Sequence, residues 1–422
     1  MSVVPEKQEP RLPDPPAVAP PATGRQARAR KQRSLTARLH AGELETLPVI
    51  VSLMSTWVLF QLLDHNHRFL TAANLSNMVV QIAAVGMMAV GITLVLLLGE
   101  TDLSVGSVSG LAAAVLAILV IRHGVPEVPA IGLVVLLGLA VGAVQGTIHA
   151  AIGVPSFVVT LAGLIGWQGL QLYLLSPQGA INIPDQGIIA ALTHAYLPAV
   201  AGWSLGAVMV GCRLVAVVVD ARRRREAGLP CATPARRAAR LVLLSAGVGL
   251  MIGVLNSARG VPVALATVVA VAVGCDLMLR KTRFGRGIIA IGGNVDAARR
   301  AGLPVDRIRI TVFALGSAMA AIGGILAVSR EFAANQSTGS SDVLLIAIAA
   351  AVIGGVSLFG GRGSTYGALL GVAVIGSINN GMYLLQLDSS VQFMITAVVL
   401  LMAVIIDSVS RRGRQRPTGT SR

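Results

Sequence analysis

From residue 46 onward the chain alternates between long apolar runs and short polar connections. The runs fall near 46–63, 76–98, 103–121, 128–152, 157–175, 199–219, 239–257, 260–279, 308–330, 342–360, 364–386 and 390–407. Most approach the ~20 residues a helix needs to cross the hydrocarbon core of a bilayer. The pattern predicts an all-α, polytopic helical membrane protein of about 10–12 transmembrane helices. The lower number applies if some runs are broken or re-entrant helices. Residues 1–45 are different. They are rich in Pro, Ala and Arg without apolar period, which reads as a disordered, basic cytoplasmic tail. No apolar stretch precedes residue 46, so the tail is not a cleaved signal. A membrane domain over 46–410 and a basic cytoplasmic tail over 411–422 complete the organisation.

Composition sharpens this picture. Hydrophobic residues make up 54% of the 422 and charged residues only 13%, with a mean hydropathy of +0.76. A soluble domain carries about 25% charged residues and could not hide this much apolar surface. The net charge of +15 does not point to nucleic acid, because most of the basic residues sit in four hydrophilic segments. These are Arg25–Arg33, Arg222–Arg240 within a loop near 220–240, Arg280–Arg309 within a loop near 280–309, and Arg411–Arg416. Counting twelve crossings from a cytoplasmic N-terminus puts all four inside, as the positive-inside rule requires. Both termini are then cytoplasmic, and the chain is a multi-pass membrane protein.

Forty-seven glycines suit close helix packing where lipid offers no hydrophobic drive for association. Gly138, Gly142 and Gly146 recur every four residues, as do Gly363, Gly367 and Gly371, each predicting a flat stripe for a neighbouring helix. Gly146-Thr147-Ile148-His149 resembles Gly376-Ser377-Ile378-Asn379 downstream of each stripe. By the crossing count these two helices run in opposite directions, an inverted repeat of the kind seen in transporters.

Four polar stretches carry the candidate chemistry. Gly99-Glu100-Thr101-Asp102-Leu103-Ser104-Val105-Gly106-Ser107 places two carboxylates between apolar runs, where charge is expensive and marks function by default. Asp102 or Ser104 is equally suited to capping the following helix. General acid–base catalysis is discounted, because no nucleophile set, metal cluster or phosphate loop accompanies the pair. Gly153 to Gly163 holds Pro155, suited to a first helical turn, and Thr160; Trp167 and Gln168 follow. Trp167 offers a flat stacking face for a solute, or simply packs at an interface. Gly354-Gly355-Val356-Ser357-Leu358-Phe359-Gly360-Gly361-Arg362-Gly363 predicts a tight turn on the cytoplasmic side. It lacks the GxxxxGK[ST] pattern, so it does not bind nucleotide. Residues 282–307 form a glycine-punctuated basic loop. Within it Val295–Ala301 predicts one or two turns of helix ended by Gly302 and Pro304. A short helix held outside the bilayer is a surface for another protein.

Other signals are weaker. Cys212, Cys231 and Cys275 are isolated, with no disulfide or zinc spacing. Asp64-His65-Asn66-His67 reads as a solvated loop rather than a metal cluster.

The 282–307 loop resembles the one by which the permease subunit of a bacterial sugar ABC transporter grips its ATPase, in the ribose/xylose branch of the sugar and branched-chain amino acid permeases. The 99–107 element is similar to the family's GxxDLSVGS signature. Glu100 resembles xylose-type members, whereas Thr101 departs from the usual Ile. The 153–163 and 354–364 elements resemble two further signatures, although Trp167-Gln168 stands where the family often has Arg nearby. The likeness runs from about 46 to 410, and the 1–45 tail and 220–240 loop lie outside it.

The resemblance implies a translocation path touching Glu100, Asp102, Ser104, Gly106, Thr160, Trp167, Gln168 and Asn379. It implies ATPase coupling through Gly292, Gly293, Asn294, Ala297, Ala298, Arg299 and Gly302. The cytoplasmic turn is expected to use Gly354, Gly355, Gly360, Gly361 and Gly363. It further implies a second permease copy, a separate ATPase that holds ATP and Mg, and a periplasmic sugar-binding protein. This chain would bind no cofactor or metal and would not itself be an enzyme. Xylose is the expected sugar. The competing readings are a branched-chain amino acid permease and an ion-coupled secondary transporter. The first should replace Asp102–Gly106 with something more apolar. The second should show acidic or His relays in several spans.

Overall fold

The computed structural model describes residues 47–228, 234–399 and 401–402. The expected tails, 1–45 and 411–422, lie outside the described residues, as do 229–233 in the Arg-rich loop.

Among the described residues, each predicted apolar run falls on a helix for most of its length. In chain order these are α1 (Leu47–Leu63), α2 (Ala72–Leu97), α3 (Val105–Ala117), α4 (Glu127–Thr147), α5 (Ser156–Leu175), α6 (Ile188–His194), α7 (Ala199–Glu226), α8 (Pro234–Ala258), α9 (Val263–Lys281), α10 (Arg283–Gly293), α11 (Val295–Arg300), α12 (Val305–Glu331), α13 (Ser341–Ile353), α14 (Thr365–Leu384) and α15 (Ser389–Val399). Single π-helical turns, Ile118–Arg122 and Ile148–Ile152, continue α3 and α4. Among the described residues nine helices are long and apolar enough to cross a membrane, and three apolar helices are shorter. The 342–360 run is not one crossing: its helix stops at Ile353 and the rest is the glycine turn.

Helix α12 is the hub, packed against α2, α3 and α4. Its neighbours approach through the predicted glycine stripe. A Cβ on Gly138, Gly142 or Gly146 would collide with the backbone of α12 at Ser317, Phe313 and Ile310 in turn, so α4 runs antiparallel to α12 at van der Waals distance of its backbone. On α14, Gly367 and Gly371 meet the carbonyls of Gly354 and Ala350 in the same way. Gly363 does not belong to that stripe. It precedes the helix, in a turn with φ of +139°, a conformation that favours glycine.

Two minimal antiparallel pairs close one end of the bundle: β1 (Ala180–Asn182) with β4 (Ala333–Asn335), and β2 (Tyr196–Leu197) with β3 (Val261–Pro262). They tie connections that pure helix packing would leave loose. Asp64 is not part of a solvated loop. It is buried, and its carboxylate accepts from the backbone N–H of Asn66, Arg68 and Phe69. Burial alone would raise its pKa, but those three donors hold it below the ordinary value.

Candidate functional site

The connection from α2 to α3 is the central feature. Glu100 meets Arg309 near the start of α12, while Ser109 lies against Gly324 further along. Fifteen helical residues separate Arg309 from Gly324, about 22 Å of rise. Residues 98–104 are non-helical and carry the chain into the bundle between those two levels.

Asp102 is 3% exposed and Ser104 fully buried inside this segment. Asp102 Oδ1 accepts from Ser104 N at 2.8 Å and lies 2.7 Å from Ser104 Oγ. The capping expectation is met only indirectly. Ser104 precedes α3 but makes no side-chain cap bond, and Asp102 holds Ser104 rather than a helical N–H. Ser104 Oγ also lies 3.0 Å from Gln145 Oε1 on α4. Gly106 is in contact with the 339–344 segment that opens α13. Thr160 on α5 is buried and its hydroxyl reaches the carbonyls of Ser156, 3.0 Å, and Thr101, 3.4 Å. Trp167 and Gln168 are half-buried further along α5. Asn379 is not part of this group. It sits on α14 beside Asn380, whose side chain pairs with Asn74 at the start of α2, the end remote from Glu100.

Glu100 forms an ionic cluster that sequence reading missed. Its Oε1 lies 2.7 Å from Arg309 Nη2 and 3.1 Å from His149 Nε2, with Glu100 and Arg309 side chains 13% and 14% exposed. His149 Nδ1 lies 2.8 Å from the Val154 carbonyl, which only accepts, so that nitrogen carries a proton. Burial would raise the Glu100 carboxyl, yet hydrogen bonds from His149 and Ser156 and the charges of His149 and Arg309 hold it below the usual value. The partners lie 49 and 209 positions away, beyond any local pattern.

Around this cluster three glycine segments converge. Gly361 N donates to Leu97 O at 2.9 Å, and Cβ atoms on Gly292 or Gly360 would collide with Leu97 or Gly99. Gly360 and Gly361 hold φ of +88° and +73°, and Gly355 +85°; Gly354 ends α13 in a right-handed conformation. The 354–363 turn is thus docked on the α2–α3 connection and on the end of α10.

The predicted short helix is present as α11. Asn294 caps it, its side-chain oxygen accepting from Ala297 N at 2.9 Å, and Gly302 leaves it at φ of +77°. Two of the expected partner-facing residues face inward instead. Ala298 is 4% exposed, in an apolar cluster with Leu279, Ile288, Ile291, Val305 and Ile308. Gly292 supports the backbone contact just described. Gly293, Asn294, Ala297, Arg299 and Gly302 are exposed, and Arg299 lies 3.5 Å from Asp306.

The xylose transport system permease protein XylH of Escherichia coli (strain K12) is 36% identical over 365 residues, 86% of this chain and 92% of that protein. The corresponding protein of Haemophilus influenzae is 34% identical over 344 residues, 82% of this chain and 91% of that one. The ribose import permease protein RbsC of Escherichia coli (strain K12) is 34% identical over 340 residues, 81% of this chain and 87% of that one. No solved structure matches. The family model for the branched-chain amino acid transport system / permease component matches residues 74–405, and the chain belongs to that family of membrane permeases.

Proposed function

We propose that this chain is the membrane-spanning permease subunit of an ATP-driven monosaccharide importer in a bacterial inner membrane, with xylose the favoured sugar. The observation that carries the reading is the non-helical segment 98–104, which brings the buried polar groups of Asp102 and Ser104, and the half-buried Thr101, into the bundle from the end where α11 and the glycine turn lie. A passage for a polyhydroxylated solute needs polar groups that exchange hydrogen bonds with hydroxyls without holding a charge tightly. The likeness to proteins named for xylose and ribose supports sugar over branched-chain amino acids. The ionic residues of the site cluster at Glu100 and do not repeat across several spans, which disfavours an ion-coupled relay.

In this reading the exposed face of α11 (Ala297, Arg299 and Gly302) seats in a separate ATPase that binds ATP and Mg. A second copy of the chain completes the path, a periplasmic sugar-binding protein delivers solute at the β1–β4 end, and both termini are cytoplasmic. Vesicles holding the whole complex should take up labelled xylose only with ATP. Uptake of leucine but no sugar would instead favour the amino acid reading. Sugar uptake driven by a proton or sodium gradient without ATP would overturn the ABC assignment.

A further inference from the structure

We propose that Arg213 on α7, Arg280 on α9 and Tyr366 on α14 form a headgroup site for one anionic phospholipid, in the leaflet on the side of α10 and α11. The inference stands apart from the sugar-import reading and would hold for any solute.

The site begins with a charge where an apolar helix should have none. Arg213 lies near the middle of the apolar stretch Ala199–Arg223, about 21 Å beyond the start of α7. That is short of the ~30 Å of a hydrocarbon core, and charge at such depth needs a partner. Its face is informative. Helix α7 packs on α8 through Gly202 and Gly206, whose would-be Cβ atoms meet Asn256 and Ile252. Arg213 follows Gly206 by about two turns on the same face, yet it is exposed. The cover that α8 gives this face therefore ends before Arg213. Among the described residues Arg213 makes no hydrogen bond or ion pair.

Two other elements bring polar groups to it. Helix α9 leaves the same strand pair, β2 with β3, as α7 does. Arg280 stands about 26 Å along it, a level close to that of Arg213. Arg280 Nε lies 2.7 Å from Asp276 Oδ1 and the side chain is 55% exposed, so its terminal nitrogens stay available. Thr365 at the start of α14 donates to the Ala272 carbonyl of α9 at 3.1 Å, which sets the exposed Tyr366 beside that helix. The charges of Asp276, Arg280 and Arg213 all act on the Tyr366 hydroxyl, so the four groups share one neighbourhood.

Their charges select the ligand. Two guanidinium groups and one carboxylate leave one positive charge, the complement of a phosphodiester. Guanidinium and phenol both donate to phosphate oxygens. A neutral sugar would leave the charge unanswered, and the carboxylates of a soluble protein do not reach this level of a span. Further out, Arg222, Arg223 and Arg225 are exposed on α7, from about 14 Å beyond Arg213, where a basic segment draws anionic lipid to the surface. A bound lipid would brace α7 against α9 and α14.

The test uses the purified full-length chain in neutral detergent, with phosphatidylglycerol, phosphatidylcholine or inorganic phosphate added. Native mass spectrometry counts retained lipid, and thermal unfolding reads stabilisation, since a ligand of the folded state raises the midpoint. Wild type should retain phosphatidylglycerol in preference to phosphatidylcholine and be stabilised by it. Arg213→Gln should weaken retention of phosphatidylglycerol about tenfold and Tyr366→Phe about fivefold, the scale of one charge-assisted and one neutral hydrogen bond. Arg225→Gln, outside the site, should cost much less. Equal retention by wild type and Arg213→Gln, or equal stabilisation by phosphatidylcholine, would overturn the site. So would equal stabilisation by inorganic phosphate, which would assign the arginines to a soluble anion. An effect of Arg213→Gln seen only with the ATPase present would assign them to a protein partner and overturn it equally. Should Arg213→Gln fail to fold, Arg213→Lys keeps the charge but not the paired donors. Unchanged retention in both that variant and Tyr366→Phe would then overturn the proposal.

Discussion

At the scale of single residues, Glu100 carries the largest electrostatic stake. Its carboxylate neutralises Arg309, whose side chain is 14% exposed, and removing one member of a buried pair costs about 3 kcal/mol because the other charge is stranded. Glu100→Gln should lower the thermal midpoint of the purified protein, and Glu100→Gln with Arg309→Gln should recover part of the loss. Additive losses in that double-mutant cycle would show that the two side chains do not cooperate. The sign of the pH effect follows from the depressed carboxyl. The stabilisation is fully present above the unfolded pKa of about 4.3 and fades as pH falls through the lower folded value. The stability contributed by the Glu100–Arg309 pair should therefore be flat between pH 6 and pH 8 and lost only in acid.

At the scale of elements, glycine has two separate jobs here. On α4, Gly142 allows the α12 backbone to approach, whereas Gly132 on the same helix has nothing within 4 Å of its would-be Cβ. Gly142→Ala should destabilise by about 1–3 kcal/mol through overpacking. Gly132→Ala should be neutral or stabilising by up to about 1 kcal/mol through helix propensity. Thermal unfolding in detergent separates the two, and equal effects would refute the seam. Helix α11 offers a second contrast. Ala297 is exposed and Ala298 buried against the chain's own core. Ala297→Trp should leave stability intact and abolish ATPase co-purification. Ala298→Trp should reduce stability whether or not the ATPase is present. The reverse outcome would mean that α11 presents its other face.

At the scale of the whole molecule, the glycine turn, α11 and the Glu100 cluster share one end of the bundle, and the β1–β4 pair closes the other. Motion of α11 would reach α12 within a few residues, and through Arg309 it would reach Glu100 and the broken span. The two ends should therefore lie on opposite sides of the membrane. In a background lacking Cys212, Cys231 and Cys275, Asp185→Cys should react with an impermeant maleimide in intact cells. Gly293→Cys should react only in inside-out vesicles. Labelling of both from the same side would contradict this orientation.

What the sequence determined by itself was the class and the register of the helices. Apolar runs near bilayer length, Gly302 and Pro304 after α11, and the stripe at Gly138, Gly142 and Gly146 are local signals. They arise from hydrophobicity, capping and side-chain size, which act over one or two turns. The 99–107 stretch was legible as a functional candidate, because carboxylates in an apolar stretch are costly wherever they fold. Tertiary structure alone decided which residues meet. Glu100 finds Arg309 across 209 positions, and Ala298 turns inward while Ala297 does not. Asn379 separates from the group it resembled. Such pairings depend on how helices cross and how closely glycine lets them approach. No period within a single helix encodes that geometry.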